Sequence, residues 1–107
     1  MFIFPMTVPH LTFNDLSSYN DVLKRLNEDK NLLSNRVLDA IKYGIENDFL
    51  EVTLFDISTM YGSMYSITFQ RDSWEEALTS AREFFEKFEE YEKCNTIQIL
   101  LQKLNYA

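Results

Sequence analysis

The spacing of apolar residues along this chain switches between helical and extended periods, and each switch marks an element. Phe2, Phe4 and Met6 alternate with Ile3 and Thr7, but Pro5 and Pro9 interrupt the run. Proline lacks the amide donor a ladder needs, so an edge strand or extended arm is expected here. Leu16, Tyr19, Leu23 and Leu26 then recur at helical spacing with Val22 beside them, and Asn14 or Asp15 can cap the helix. The stripe loosens over residues 27–31 and resumes with Leu33, Val37, Leu38, Ile41 and Ile45, with Ser34 or Asn31 as a new cap. Two helices joined by a short turn are expected, the second weakened at Gly44 and ended near Asn47 and Asp48.

The period then drops to two. Leu50, Val52 and Leu54 alternate with Glu51 and Thr53, predicting a strand over residues 49–57. Tyr65, Ile67 and Phe69 alternate with Ser66, Thr68 and Gln70, predicting its hairpin partner across a loop that contains Gly62. Ser73 followed by Glu76 matches a capping box for a last helical region.

In that region Trp74, Ala77, Leu78, Ala81, Phe84, Phe85 and Phe88 fall within about 120° on a helical wheel, and glutamates fill the far side. Continued along the same wheel, Ile97, Leu100, Leu101 and Leu104 land on the side of Glu83, Glu86 and Glu90. Two arrangements resolve the conflict. Either the chain breaks near Cys94 to Thr96, with Asn95 capping a short helix that folds back, or the last turns protrude and bury their leucines in a partner or a second copy. The candidate partner-binding residues are therefore Glu83, Glu86, Glu89 and Glu90 on the acidic side, and Ile97, Leu100, Leu101 and Leu104 on the apolar side.

These elements predict an α+β fold in a single domain, residues 1–107. A short antiparallel sheet centred on the 49–70 hairpin, or the hairpin alone if the proline-broken arm does not pair, packs on a long acidic amphipathic helix. Two N-terminal helices complete the core, and a short C-terminal helix follows if the chain breaks and folds back. The length of 107 residues and the hydrophobic fraction of 46% are enough for a packed core.

Charge narrows the partners. The formal net charge of -7 disfavours nucleic-acid backbones and anionic membranes, and favours a basic protein surface. The lone Cys94 allows no internal disulfide and fits a reducing cytoplasm. No apolar run is long enough to span a bilayer, and residues 1–6 lack the basic flank of a signal peptide. The preference for Phe, Tyr, Asn, Ile and Lys is that of an AT-rich genome, as in many bacteriophages and low-GC bacteria.

Catalytic chemistry finds little support. His10 is the sole histidine and has no nucleophile motif beside it. Glu51, Asp56 and Asp72 are carboxylates without a histidine cluster or phosphate loop, so no metal or cofactor is expected. The basic residues of the two-helix segment are interleaved with acids, which weighs against DNA binding. Met60, Tyr61 and Met64 at the hairpin loop either cover one end of the core or, if exposed, suit protein recognition. The expected function is a non-catalytic protein-binding module, an adaptor or inhibitor in a phage–host setting. The alternatives are an acidic nucleic-acid mimic that blocks a DNA-binding protein, and a structural subunit that dimerises through its C-terminal segment.

Overall fold

The computed structural model describes residues 7–105. The alternation at Phe2, Phe4 and Met6 lies outside the described residues. Among the described residues, eight segments build the fold: β1 (His10–Phe13), α1 (Tyr19–Glu28), α2 (Lys30–Glu46), β2 (Glu51–Thr59), β3 (Met64–Gln70), a 3-10 turn (Arg71–Ser73), α3 (Trp74–Lys87) and α4 (Tyr91–Asn105). The result is a small α+β domain of four helices and a three-stranded mixed sheet.

The helix starts differ from those expected. Ser18, not Asn14 or Asp15, caps α1 by accepting from the Asp21 amide at 3.1 Å. Asp15 instead accepts from Arg25 at 2.7 Å. Asp29 ends α1 and starts α2, its carboxylate accepting from the Leu32 amide at 3.1 Å. One short acidic side chain thus makes the turn without a glycine. The Ser73 hydroxyl donates to the Gln70 carbonyl at 2.8 Å, so the expected capping box does not form and the 3-10 turn leads straight into α3.

The sheet order is β1-β2-β3, with β1 parallel to β2 and β3 antiparallel to it. The expected all-antiparallel sheet is thereby corrected. The reason is topological: α1 and α2 lie between β1 and β2, a crossover that returns the chain in the same direction. A bulge between Thr53 and Phe55 lets both Leu54 and Phe55 bury their side chains. Among the described residues β1 pairs with β2 only along Asp56–Thr59. Beyond that stretch, the buried Arg36 guanidinium donates to the Leu54 carbonyl at 2.5 Å and the Thr53 carbonyl at 2.9 Å. Burial pushes the Arg36 pKa down, and the charge of nearby Asp39 opposes the shift.

The helices cover one sheet face. Phe55, Ile57, Ile41, Leu78, Trp74, Phe85 and Ile97 are fully enclosed there. The other face is polar, with His10 hydrogen-bonded to Ser58 at 2.8 Å, Ser66 to Asp56 at 2.7 Å and Gln70 to Glu51 at 2.7 Å.

The change of phase in the C-terminal region is a helical hairpin. It turns at residues 88–90, not near Cys94 to Thr96, and Cys94 and Asn95 lie inside α4. The Glu89 amide donates to the Glu86 carbonyl at 3.1 Å and the Glu90 amide to the Phe85 carbonyl at 2.9 Å, with Glu89 at φ 58°. This is the Schellman arrangement, here with a glutamate where glycine is usual. The acids expected on one long helix are thus divided among α3, the turn and the start of α4.

Candidate functional site

A cleft of about 620 Å³ lies between the N-terminal half of α2 and the outer side of α3. On α2 its wall is Lys30, Leu33, Ser34 and Val37, which share one stripe because they are three, four and seven residues apart. On α3 the lining runs from Ser73 through Ala77, Ser80 and Ala81 to Phe84. Phe69 of β3 also contributes, and Glu76, Glu83 and Lys87 complete the α3 wall.

The origin of the cleft lies in the width of α3's apolar arc. Trp74, Leu78, Ala81 and Phe85 are buried in the core, where α3 packs against α2 and α4. Ala77 and Phe84 sit on the edge of the same arc and remain half-buried along the cleft. Alanines and serines here leave the space that larger side chains would fill. Phe88, expected in the core, is 59% exposed. It is the residue that ends α3, so it leaves the helical wheel before the arc would carry it inward. Its ring lies 4.8 Å from that of Phe84. The two rings continue the apolar surface past the end of the cleft.

The expected acidic site residues separate. Glu83 is on the cleft wall, two helical turns from Glu76. Glu86 lies 3.5 Å from Arg82, and Glu90 lies 3.0 Å from Lys93. Glu89 holds the positive-φ position of the turn. The expected apolar site residues are placed by this chain itself: Ile97, Leu100 and Leu101 are buried in the core and Leu104 is packed against it. Their burial follows from the earlier turn, which rotates α4 so that its apolar side meets α3 and α2. The sequence pattern did not single out the cleft residues Leu33 and Phe84 as a site, because their spacing is equally that of a core stripe, and Ser80 lies outside the apolar arc.

Met60, Tyr61 and Met64 are exposed by 47%, 77% and 68% rather than covering the end of the core. Gly62, at φ 77°, closes that hairpin tip with its amide donating to the Thr59 carbonyl at 3.0 Å.

Other reactive groups stand outside the cleft. His10 and Ser58 meet on the open sheet face, and Asp56 on the same face accepts from Ser66. The Cys94 thiol pKa is raised, first by burial and then by the charge of Glu86, which disfavours the thiolate. Among the described residues no group of His, Cys, Asp and Glu is placed to hold a metal ion, and no helix is long and apolar enough to cross a membrane. No protein-family model, curated protein or solved structure matches the chain.

Proposed function

We propose that the chain is a non-catalytic protein-binding module, an adaptor or inhibitor, whose cleft between α2 and α3 receives a basic amphipathic helix of another protein. The observation that carries this is an apolar lining with Glu76 and Glu83 seven residues apart on the α3 wall, on a chain of net charge -7. Lys30 and Lys87, also on the lining, leave these two acids as the points where basic side chains would be received. A helix laid in a groove presents apolar anchors at intervals of three, four and seven residues. The α3 side from Ser73 to Lys87 runs for about 21 Å, long enough for roughly four turns of such a ligand. Glu76 and Glu83 are about 10.5 Å apart along the axis, the spacing of Lys or Arg residues seven apart on the incoming helix. Alanine and serine in the lining permit close approach, and Phe84 with Phe88 offers the aromatic anchor typical of interface hot spots. A phosphate mimic needs a row of free acids and no apolar floor, and Glu86 and Glu90 already have basic neighbours.

Selection from a library of helical peptides, followed by calorimetry, tests the proposal. Enriched peptides should carry an apolar stripe flanked by Lys or Arg seven residues apart. Phe84→Ala and Phe88→Ala should each weaken them about 10- to 100-fold. Peptides without basic character, or affinity untouched by both substitutions, would contradict it.

A further inference from the structure

Strand edges carry unpaired amides and carbonyls, and folded proteins usually protect them with short length, proline, charge or a covering group. Among the described residues, two of the sheet's three exposed flanks are protected. β1 is four residues long and directly follows Pro9. The flank of β2 beyond β1 has its Thr53 and Leu54 carbonyls bonded to Arg36. The outer edge of β3 has none of these devices. Its seven residues, Met64–Gln70, include no charged residue and no proline, and the bulge of the sheet falls on β2 instead.

The register identifies which groups face outward. The Arg71 amide donates to the Leu50 carbonyl at 2.8 Å, and the Thr59 amide donates to the Ser63 carbonyl at 3.0 Å. Alternating inward from these two narrow pairs, Tyr65, Ile67 and Phe69 turn their backbone toward β2. Met64, Ser66, Thr68 and Gln70 turn theirs outward. The Gln70 carbonyl already accepts from Ser73, which leaves Met64, Ser66 and Thr68 as the positions with both backbone groups turned outward.

We infer that β3 pairs antiparallel with β3 of a second copy, about a two-fold axis at Ser66, joining the two sheets into one. In this register Ser66 faces its own counterpart, and Met64 faces Thr68 of the second copy and vice versa. The outward amides and carbonyls of Met64, Ser66 and Thr68 are then satisfied reciprocally, as an isologous contact requires. Charge favours the same edge. Two chains of -7 repel over most of their surface, and β3 is a contact to which neither contributes a charged side chain. The contact also covers part of Met64, which is 68% exposed in the single chain. The edge pairs through backbone groups, whereas β3 meets the cleft through the Phe69 side chain on the helical face.

Two measurements on the full chain test it. Sedimentation velocity from roughly 1 µM to 1 mM should show a concentration-dependent dimer. Thr68→Pro removes an outward amide but none that bonds β2, and should weaken the dimer about tenfold or more while circular dichroism stays unchanged. Facing residues in a narrow pair have Cα atoms about 5.5 Å apart, within disulfide reach. Ser66→Cys in a Cys94→Ala background should therefore cross-link into a covalent dimer on mild oxidation, well beyond a Thr53→Cys control on the same face. If Thr68→Pro fails to fold, this cross-link decides. A strict monomer across the range, a dimer indifferent to a folded Thr68→Pro, or no excess cross-link at position 66 would overturn the inference.

Discussion

Gly44 lies directly against the Trp74 indole: a Cβ built on this glycine would sit 2.7 Å from Trp74 Cη2 and 2.6 Å from Val52 Cγ1. The contact joins α2, β2 and the start of α3 at one point. It permits Trp74 to be fully buried while its Nε1 donates to the Phe69 carbonyl at 3.0 Å. The Arg71 guanidinium lies 5.1 Å over the same ring and also donates to the Phe49 carbonyl at 2.9 Å. Gly44→Ala gains about 1 kcal/mol of helix propensity, but the methyl must displace two enclosed side chains. A net loss of about 2 kcal/mol in denaturant unfolding is expected. A stabilised variant would show that the three elements are not this close.

The turn between α3 and α4 carries a removable strain. Glu89 adopts φ 58°, a conformation that costs a residue with a Cβ about 1 kcal/mol or more. Glu89→Gly should stabilise the fold by about 0.5–1 kcal/mol, with part of the gain lost to the freer unfolded chain. The same change at Asp48, φ 56°, should give less, because aspartate tolerates this region better and Asp48 also lies 3.5 Å from Arg71. Thermal unfolding of the two variants side by side measures the difference.

The C-terminal helix should behave as core. Ile97 is fully enclosed and Leu100 nearly so. Ile97→Ala and Leu100→Ala should each cost about 2–4 kcal/mol by lost burial and the cavity left behind. Deleting residues 95–107 should abolish cooperative unfolding. A truncated chain that still unfolds with a sharp transition would return these residues to the role of an interface.

Acid should separate two side chains at the start of α1. The Arg25 guanidinium bonded to Asp15 holds its carboxyl below the usual carboxylate range. A carboxyl depressed on folding stabilises above its unfolded pKa, near 3.9, and that contribution disappears as pH falls through the folded value. Asp15→Asn should therefore lower the Tm at pH 7, and the difference should shrink as acid protonates Asp15 in the folded chain. Ser18→Ala removes a cap whose oxygen does not titrate, and should cost about 1 kcal/mol at pH 7 and in acid alike.

Much of the fold was legible in the sequence because period and burial agree. The stripes of α1 and α2, the alternation of β2 and β3, and the arc from Trp74 to Phe85 all follow from spacing. The turns were harder, because the chain uses acids where the usual signals are glycine or a hydroxyl. Asp29 joins α1 to α2, and Glu89 ends α3, so the break was expected some six residues late. β1 escaped notice because Leu11 and Phe13 are too short an alternation to stand out beside Phe2, Phe4 and Met6. The cleft was illegible for a different reason. Ala77 and Phe84 read as core until they are seen to line the cleft between α2 and α3, and Ser80 stands outside the apolar arc altogether.

The most direct test of the cleft as a docking site is a charge exchange. Glu76→Lys with Glu83→Lys reverses the α3 wall without touching the core. Calorimetry would compare a selected basic helical peptide with a copy whose Lys and Arg are replaced by Glu. The basic peptide should bind the natural chain and lose about tenfold or more on the reversed one, which should in turn prefer the acidic copy. Equal preference for the basic peptide by both chains would contradict the docking of a basic helix between α2 and α3.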